Sequence, residues 1–171
     1  MEEHAGIITI NGNPLTLVGK QPMVGETAPD FEVMDNDLSP VRLSSFRGKV
    51  CVIASVPSLD TPVCDMETRR FNEEAGMLGS NVAILTISMD LPFAQKRWCG
   101  TAGVDKVTTL SDHFSASFGE AYGVLIKELR LLARAVFVVD KDGVVNYLQI
   151  VKEIANEPDY DEVLSTLKKL L

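Results

Sequence analysis

The sequence predicts an α/β protein with a mixed sheet, because strand-like and helix-like segments alternate along its 171 residues. Short β-branched runs at 50–56 and Val82–Ser88 are each followed by a longer stretch with helical periodicity. Near the carboxyl end, a turn-forming segment at 140–143 separates two apolar runs, which favours a hairpin. We therefore expect crossover helices in the middle of the sheet and hairpins at its ends.

Each element follows from local signals. Residues 6–10 and 14–18 flank Asn-Gly-Asn at 11–13, which predicts an N-terminal β-hairpin. The further predicted elements, in chain order, are extended pieces at 31–34 and 41–43, a buried strand at 50–56, a helix from 62 to about 77, a strand at Val82–Ser88, a helix from 91 to about 99, an edge strand at 107–110, strands at Ala135–Val139 and 144–150, and an amphipathic helix at 160–171. Gly100 is expected to close the second helix. Without a linker or repeat, residues 1–171 are predicted to form a single domain.

Composition disfavours several classes of partner. With 16 basic and 24 acidic residues, the net charge is −8, which argues against nucleic acid or anionic membrane surfaces. The sequence contains no apolar run of roughly 18 residues and no basic-then-apolar amino terminus, so neither a membrane span nor a secretory signal is predicted. Three cysteines, an odd number, fit a reducing compartment better than a disulfide framework, and we expect a cytoplasmic protein.

The most specific chemical signal lies where the strand at 50–56 joins the next helix. Thr61 is a favoured N-cap residue and Pro62 suits the first helical position, so Cys64 becomes the third residue of the helix. Unpaired backbone N–H groups and the helix dipole favour a thiolate at that position. Because Thr61 stands three residues before Cys64, its hydroxyl is expected to accept from the backbone and to point its hydrogen at the sulfur.

The helix start alone is too weak to activate this thiol fully. It contributes about 2 kcal/mol at most in a partly buried site. Asp60, Asp65 and Glu67 act against a thiolate, since nearby negative charge disfavours it. The neighbouring Arg69 and Arg70 lie further down the helix. We therefore expect a cation from another segment to complete the site.

Three other residues have roles that local sequence leaves open. Cys99 is predicted at the C-terminal end of a helix, where the dipole disfavours a thiolate, so it is either a small core residue beside Trp98 or a resolving thiol. Cys51 lies inside a buried strand, so packing is expected. Arg134 precedes the apolar run Ala135–Val139, where it is either a solvated strand end or a charge that faces a cleft.

The sequence disfavours several other chemistries. It has no Cys-x-x-Cys pair of the kind that dithiol oxidoreductases use. Neither His4 nor His113 has metal-ligand spacing to a cysteine, and no glycine-rich loop opens a helix, so no metal or cofactor is expected. A cysteine hydrolase that uses Cys64 with His113 as its base remains an alternative.

The segment from Pro57 to Cys64 matches the Pro-x-x-x-Thr-x-x-Cys motif, and through it the chain resembles the peroxiredoxins. The flanking residues 65–72, 88–95 and 97–100 resemble the bacterial thiol peroxidase subfamily, and the similarity runs nearly from end to end. The resemblance implies a thioredoxin-like fold that carries an N-terminal hairpin, and chemistry without metal, haem or flavin.

The resemblance also implies a role for each site residue. Cys64 is the peroxidatic cysteine, and Pro57 shields it. Thr61 and Arg134 activate the cysteine and the peroxide. Cys99 forms an intramolecular disulfide with the oxidised cysteine, and thioredoxin reduces that disulfide. The expected activity is reduction of hydrogen peroxide and organic hydroperoxides. The alternative is a sensor protein that uses the same chemistry to report peroxide.

Two further expectations concern assembly and motion. The resemblance is to a dimeric subfamily, and Phe114, Phe118 and Tyr122, spaced four apart, form an apolar stripe that either contributes to a homodimer contact or packs in the core. Cys64 and Cys99 lie at opposite kinds of helix terminus, whereas a disulfide needs Cα atoms within about 7 Å. We therefore expect disulfide formation to require local unfolding.

Overall fold

The computed structural model describes all 171 residues, which form two sheets and four α-helices. In chain order the elements are β1 (Glu3–Ile10), β2 (Asn13–Val18), β3 (Glu32–Met34), β4 (Pro40–Arg42), a 3-10 helix (Leu43–Phe46), β5 (Val50–Ser55), α1 (Pro62–Leu78), β6 (Val82–Ser88), α2 (Pro92–Ala102), β7 (Thr108–Ser111), α3 (Ser117–Ala121), β8 (Leu125–Ile126), β9 (Leu131–Leu132), β10 (Ala135–Val139), β11 (Val145–Ile150) and α4 (Tyr160–Leu170). No helix combines the length and the apolar character that crossing a membrane requires.

The larger sheet has seven strands in the order β11-β10-β5-β6-β7-β3-β4. Strands β5, β6 and β7 are parallel, and helices α1 and α2 make the crossovers between them. Antiparallel hairpins β10–β11 and β3–β4 extend the sheet on either side. The predicted mixed sheet is confirmed, including the buried central strand β5, all of whose residues are buried.

The smaller sheet has four strands in the order β1-β2-β8-β9. Its first two strands are the predicted N-terminal hairpin, and Asn11 and Gly12 at the turn both have positive φ (50° and 79°), as a two-residue hairpin turn requires. The hairpin is tied to the loop after β11 by Glu153, whose Oε1 accepts from the Thr9 hydroxyl (3.1 Å) and the Gly12 backbone N–H (2.9 Å).

The core has a large cluster on each face of the seven-stranded sheet. One cluster of 24 buried residues includes the inner side chains of the smaller sheet and an aromatic group in which Phe118 stacks on Tyr122 at 4.6 Å between centroids. The other cluster of 11 buried residues lies beneath α1 and α4 and includes Phe71 and Leu167. Both faces of the sheet are therefore covered, which explains its continuous apolar strands.

Phe114, Phe118 and Tyr122 do not form one continuous stripe, and core packing, one of the two predicted alternatives, is confirmed for two of them. Phe118 and Tyr122 are fully buried in the core, whereas Phe114 is 76% exposed. The spacing of four implied one continuous helix, but α3 spans only Ser117–Ala121, and Phe114 lies in the turn that precedes it. Core packing therefore accounts for two of the three aromatic side chains.

The end of α2 and the position of β7 in the sheet also differ from the predictions. Gly100 lies inside α2, and the helix ends at Gly103, which adopts the left-handed conformation (φ 69°) and donates its N–H to the Cys99 carbonyl. The strand at 107–110 is not an edge strand, because the β3–β4 hairpin extends the sheet beyond β7 through the pairing of Met34 with Ser111. That hairpin comes from a distant part of the chain, so the sequence around residues 107–110 carries no signal for its pairing with β7.

Candidate active site

Cys64 is the third residue of α1, as the sequence predicts. Thr61 is the N-cap, with extended backbone angles (φ −91°, ψ 145°), and its Oγ1 accepts from the Cys64 backbone N–H at 3.3 Å. The Thr61 hydroxyl donates to the Ser58 carbonyl at 3.0 Å. Its hydrogen therefore points at that carbonyl and not at the sulfur as predicted, because the Ser58 carbonyl lies within hydrogen-bond distance in the same turn. The role of Thr61 visible here is to fix the first turn of the helix.

The surroundings of the thiol are apolar and closed. Cys64 has 0% relative exposure and packs with Val56 and Leu59, and the partly buried Trp98 covers the same cluster. Pro57 is buried directly after Val56, in the loop that leads to the helix. The site thus excludes bulk water from the sulfur in this state.

The loop before α1 is fixed by Asp90, which sequence analysis did not single out. Its Oδ1 accepts from the Ser58 hydroxyl (2.7 Å), and its Oδ2 accepts from the Leu59 backbone N–H (2.8 Å) and the Ser88 hydroxyl (2.9 Å). Asp90 follows β6, the parallel neighbour of β5, so both strands deliver their loops to the same edge of the sheet. An aspartate two residues after the end of β6 was the sequence signal that could have identified this role.

Arg134 supplies a cation from another segment. It directly precedes β10, whose Ala135 pairs with Ser55 at the carboxyl end of β5, and it is only 2% exposed. Its Nε and Nη2 donate to the Ile154 carbonyl (3.1 and 3.0 Å), and its Nη1 donates to Glu67 Oε2 (2.7 Å). Burial acts to lower the pKa of Arg134, but interactions with Cys64 and Glu67 outweigh it and raise that pKa above its ordinary value. The side chain is therefore buried beside Cys64 and is not a solvated strand end.

Glu67 is the second residue whose part in the site sequence analysis missed. It was interpreted only as a charge that opposes a thiolate, yet it is fully buried and paired with Arg134. Burial raises the pKa of Glu67 to about 7, although Arg134 acts to lower it. Glu67 lies three residues after Cys64, so the two side chains share one face of α1. The spacing of three residues between Cys64 and Glu67 was the sequence signal that could have placed Glu67 in the site.

The thiols of Cys64 and Cys99 are both free and have different surroundings. Cys99 lies in the last turn of α2, partly exposed, and its Sγ is 3.3 Å from the Thr109 hydroxyl. The adjacent Trp98 donates from Nε1 to Asp65 Oδ1 at 3.0 Å and so links α2 to the residue after Cys64. In this state the contacts of Cys99 are with β7 and not with the other thiol.

Cys51 and His113 lie away from this site. Cys51 is buried near the start of β5, the opposite end of the strand from the Cys64 loop, and burial raises the pKa of its thiol to about 11. It borders a separate cavity of about 360 Å³. The His113 backbone N–H donates to the Ser111 hydroxyl at 3.4 Å, and its ring lies edge-on to Phe114. These contacts do not connect His113 to Cys64, so the geometry does not favour a cysteine hydrolase.

The architecture is thioredoxin-like, and a buried thiol at a helix start beside an arginine places the protein among cysteine-based redox proteins. The family model described as Redoxin matches residues 23–164, and the chain belongs to that family. It is 58% identical over 162 residues to the thiol peroxidase of Oceanobacillus iheyensis, covering 95% of this chain and 98% of that protein.

Further comparisons agree in sequence and in structure. The thiol peroxidase of Halalkalibacterium halodurans is 56% identical over 164 residues, which cover 96% of this chain and 98% of that protein. The crystal structure of a peroxiredoxin-like protein from Aquifex aeolicus matches with a TM-score of 0.90 at 46% identity, covering 98% of this chain and 99% of that one. The similarity therefore extends over nearly the whole of each chain.

Proposed function

We propose that this protein is a thiol peroxidase that uses Cys64 to reduce hydrogen peroxide and organic hydroperoxides. The observation that carries the proposal is the position of the Cys64 sulfur, at the start of α1 and within the electrostatic reach of the buried Arg134. The two relatives at 58% and 56% identity, both thiol peroxidases, support the same conclusion.

In the first step the Cys64 thiolate attacks the terminal oxygen of the hydroperoxide. An S–O bond forms, the O–O bond breaks, and the departing alkoxide or hydroxide takes up a proton and leaves as alcohol or water. Cys64 is oxidised to a sulfenic acid as the peroxide is reduced. Arg134 and the backbone N–H groups at the start of α1 stabilise the charge that develops on the oxygens. Thr61 holds this turn in place, and Pro57 shields the sulfur.

In the second step Cys99 attacks the sulfur of the sulfenic acid, and an S–S bond replaces the S–O bond as water leaves. The resulting intramolecular disulfide protects Cys64 from further oxidation. Thioredoxin then restores both thiols by thiol–disulfide exchange. Because Cys99 contacts Thr109 while Cys64 is enclosed by its own cluster, this step requires part of α2 to move.

The proposal includes the setting in which the enzyme works. Residues 1–171 act as one domain, and two copies associate as a homodimer. Phe114, at 76% exposure, is the one member of the predicted aromatic stripe that is available for contact between copies. The odd number of cysteines, three, supports a cytoplasmic location, where thiols stay reduced.

Turnover measurements on matched variants test the proposed function. Cys64→Ser should abolish thioredoxin-linked consumption of hydrogen peroxide, and Cys51→Ser should leave it largely intact, because only Cys64 lies at a helix start. Equal loss in both variants at equal folded fraction would overturn the assignment. Oxidation of Cys64 without sustained turnover would instead indicate a peroxide sensor, and a stable acyl-enzyme on Cys64 would indicate a hydrolase.

A further inference from the structure

The thiol of Cys99 is held against β7 by a chain of two hydrogen bonds. Its Sγ lies 3.3 Å from Thr109 Oγ1, and the Thr109 hydroxyl donates to Asn36 Oδ1 at 3.1 Å. Thr109 is 3% exposed, so its hydroxyl is largely withdrawn from water. The three residues come from α2, from β7 and from the turn between β3 and β4, and these segments lie far apart in the chain.

The sheet brings Asn36 to Thr109. In the antiparallel contact of β3 with β7, Met34 pairs with Ser111. Two residues further along each chain, the same register places Asn36 opposite Thr109. The turn that carries Asn36 is itself fixed, because Asp35 Oδ1 accepts from two backbone N–H groups of the turn at 2.8 and 2.9 Å. Strand register and turn geometry therefore both present the Asn36 amide to Thr109.

The direction of these bonds determines which form of Cys99 the chain accommodates. A hydroxyl has one hydrogen and two lone pairs, whereas an amide oxygen only accepts. Because the Thr109 hydrogen is used on Asn36 Oδ1, the Thr109 oxygen is left to act as an acceptor toward Cys99. The donor is then the Cys99 S–H, which a thiolate lacks. The two hydrogen bonds therefore stabilise the neutral thiol, and a bond to the neutral form disfavours the charged one.

The rest of the surroundings do not oppose this effect. Cys99 lies in the last turn of α2, where the helix dipole disfavours negative charge and where no basic residue occurs. The charged groups at this end of the helix are paired with one another: Lys96 with Asp37 of the β3–β4 turn at 3.0 Å, and Arg69, which also donates to a carbonyl of the last turn, with Asp65 at 2.9 Å. None of them forms a hydrogen bond with the Cys99 sulfur.

We propose that Thr109, oriented by Asn36, is a positioning residue that holds Cys99 as an unreactive thiol against β7 until α2 opens. In the closed state Cys99 neither attacks another sulfur nor consumes peroxide, because the thiolate is the nucleophile. When α2 leaves β7, the thiol loses its acceptor. Its hydrogen then departs as water with the hydroxyl of the Cys64 sulfenic acid, as an S–S bond replaces the S–O bond. The inference rests on the proposed function of Cys99, but the hydrogen bonds themselves are tested without peroxide.

The test is the pH profile of alkylation by iodoacetamide, from about pH 6 to about pH 11, in a Cys51→Ser, Cys64→Ser background where Cys99 is the only thiol. Asn36→Ala frees the Thr109 hydrogen to turn to the sulfur, where it stabilises the thiolate. This profile should move to lower pH by about 0.7 unit, which makes alkylation about fivefold faster on the acid limb and leaves the alkaline plateau unchanged. Thr109→Val removes the acceptor of the S–H and should move the profile in the same direction. Thr109→Ser keeps the hydroxyl and should match the parent.

Asn72→Ala is the matched control. It removes an amide oxygen that accepts from the backbone N–H groups of residues 105 and 106, just beyond α2, at 3.2 and 2.7 Å. A looser helix end changes the rate by the same factor at every pH, so Asn72→Ala should keep the midpoint of the parent. A profile of Asn36→Ala or Thr109→Val that stays in place or moves to higher pH would overturn the proposal, as would an equal displacement in Asn72→Ala.

A second measurement covers the case in which these variants do not fold. The Raman S–H stretching band of the parent, which has Cys99 as its one thiol, should lie at the lower wavenumber of a thiol that donates a hydrogen bond. A band at the position of a free S–H would contradict the proposal. Neither measurement involves peroxide, so a failure of the peroxidase assignment appears separately, as absent turnover with thioredoxin.

Discussion

The contact that joins α1 to α2 should set how readily Cys64 and Cys99 meet. Trp98 donates to Asp65 Oδ1 at 3.0 Å, and Asp65 Oδ2 accepts from Arg69 Nε at 2.9 Å. Arg69 in turn lies over the Trp98 ring at 5.9 Å. We call Asp65, Arg69 and Trp98 the α1–α2 clamp. Trp98→Phe removes the indole N–H while keeping most of the apolar packing against the Cys64 cluster.

The magnitude follows from the environment of that hydrogen bond. A bond to a charged acceptor contributes about 1.5–3 kcal/mol when it is well buried. The Asp65 side chain is 32% exposed, so water replaces part of the lost interaction and we assign about 1 kcal/mol to the bond. A loss of about 1 kcal/mol raises the population of the open clamp about fivefold. If α2 must leave α1 before Cys99 reaches Cys64, disulfide formation should accelerate by a similar factor.

The assay is rapid-quench alkylation followed by mass spectrometry after one addition of hydrogen peroxide. Trp98→Phe should form the Cys64–Cys99 disulfide about fivefold faster and should accumulate less Cys64 sulfinic acid at excess peroxide. Tyr147→Phe, which removes a hydroxyl that donates to Glu162 at 2.8 Å on the α4 side, is the matched control and should behave as wild type. An unchanged rate of disulfide formation in Trp98→Phe would show that the α1–α2 clamp does not limit the approach of Cys99 to Cys64.

Cys99→Ser should retain the first turnover but lose recycling through thioredoxin, and its Cys64 should over-oxidise; sustained thioredoxin-linked turnover would exclude the proposed resolving role of Cys99. Burial raises the pKa of Glu67 to about 7 and of Asp112 to about 6, so the folded protein binds more protons than the unfolded chain between about pH 4 and about pH 7. The free energy of unfolding should therefore fall as pH rises through that window, by at most about 1.4 kcal/mol per group and pH unit; urea titrations that show rising stability would contradict this sign. Gly19→Ala should destabilise the fold by about 3 kcal/mol, because φ is +102° and the added Cβ collides with the backbone of α3. Thermal unfolding of both variants checks this: Gly143→Ala (φ +83°, open space around the Cβ) should lower the free energy of unfolding by only about 1 kcal/mol.

The parts of the fold that sequence analysis predicted depend on local signals. The β-branched run in β5 and the Thr61-Pro62 cap each specify their own conformation, so the strand, the helix start and the position of Cys64 were all predicted correctly. The N-terminal hairpin was predictable for the same reason, because Asn-Gly at the turn demands positive φ.

The features that were missed or wrong depend on contacts between distant segments. Nothing near residue 107 indicates that the β3–β4 hairpin pairs beyond β7. Spacing alone could not separate a helical stripe from the core positions that Phe118 and Tyr122 occupy. The ion pair of Glu67 with Arg134 joins residues 67 positions apart, and it exists because β10 lies antiparallel beside β5. Sequence analysis placed Cys64 at the helix start and named Arg134 as a candidate cation, but it did not predict that Arg134 is paired with the buried Glu67.

The most direct test of the central claim is peptide mass mapping of the wild-type protein after one equivalent of hydrogen peroxide. A single new cross-linked species should form that joins the Cys64 and Cys99 peptides, with Cys51 still alkylatable after unfolding. In the same sample, amide exchange in residues 94–103 should quicken, because α2 has to open to form the bond. A protein that stays fully reduced, or one in which Cys51 replaces either partner, would contradict the account.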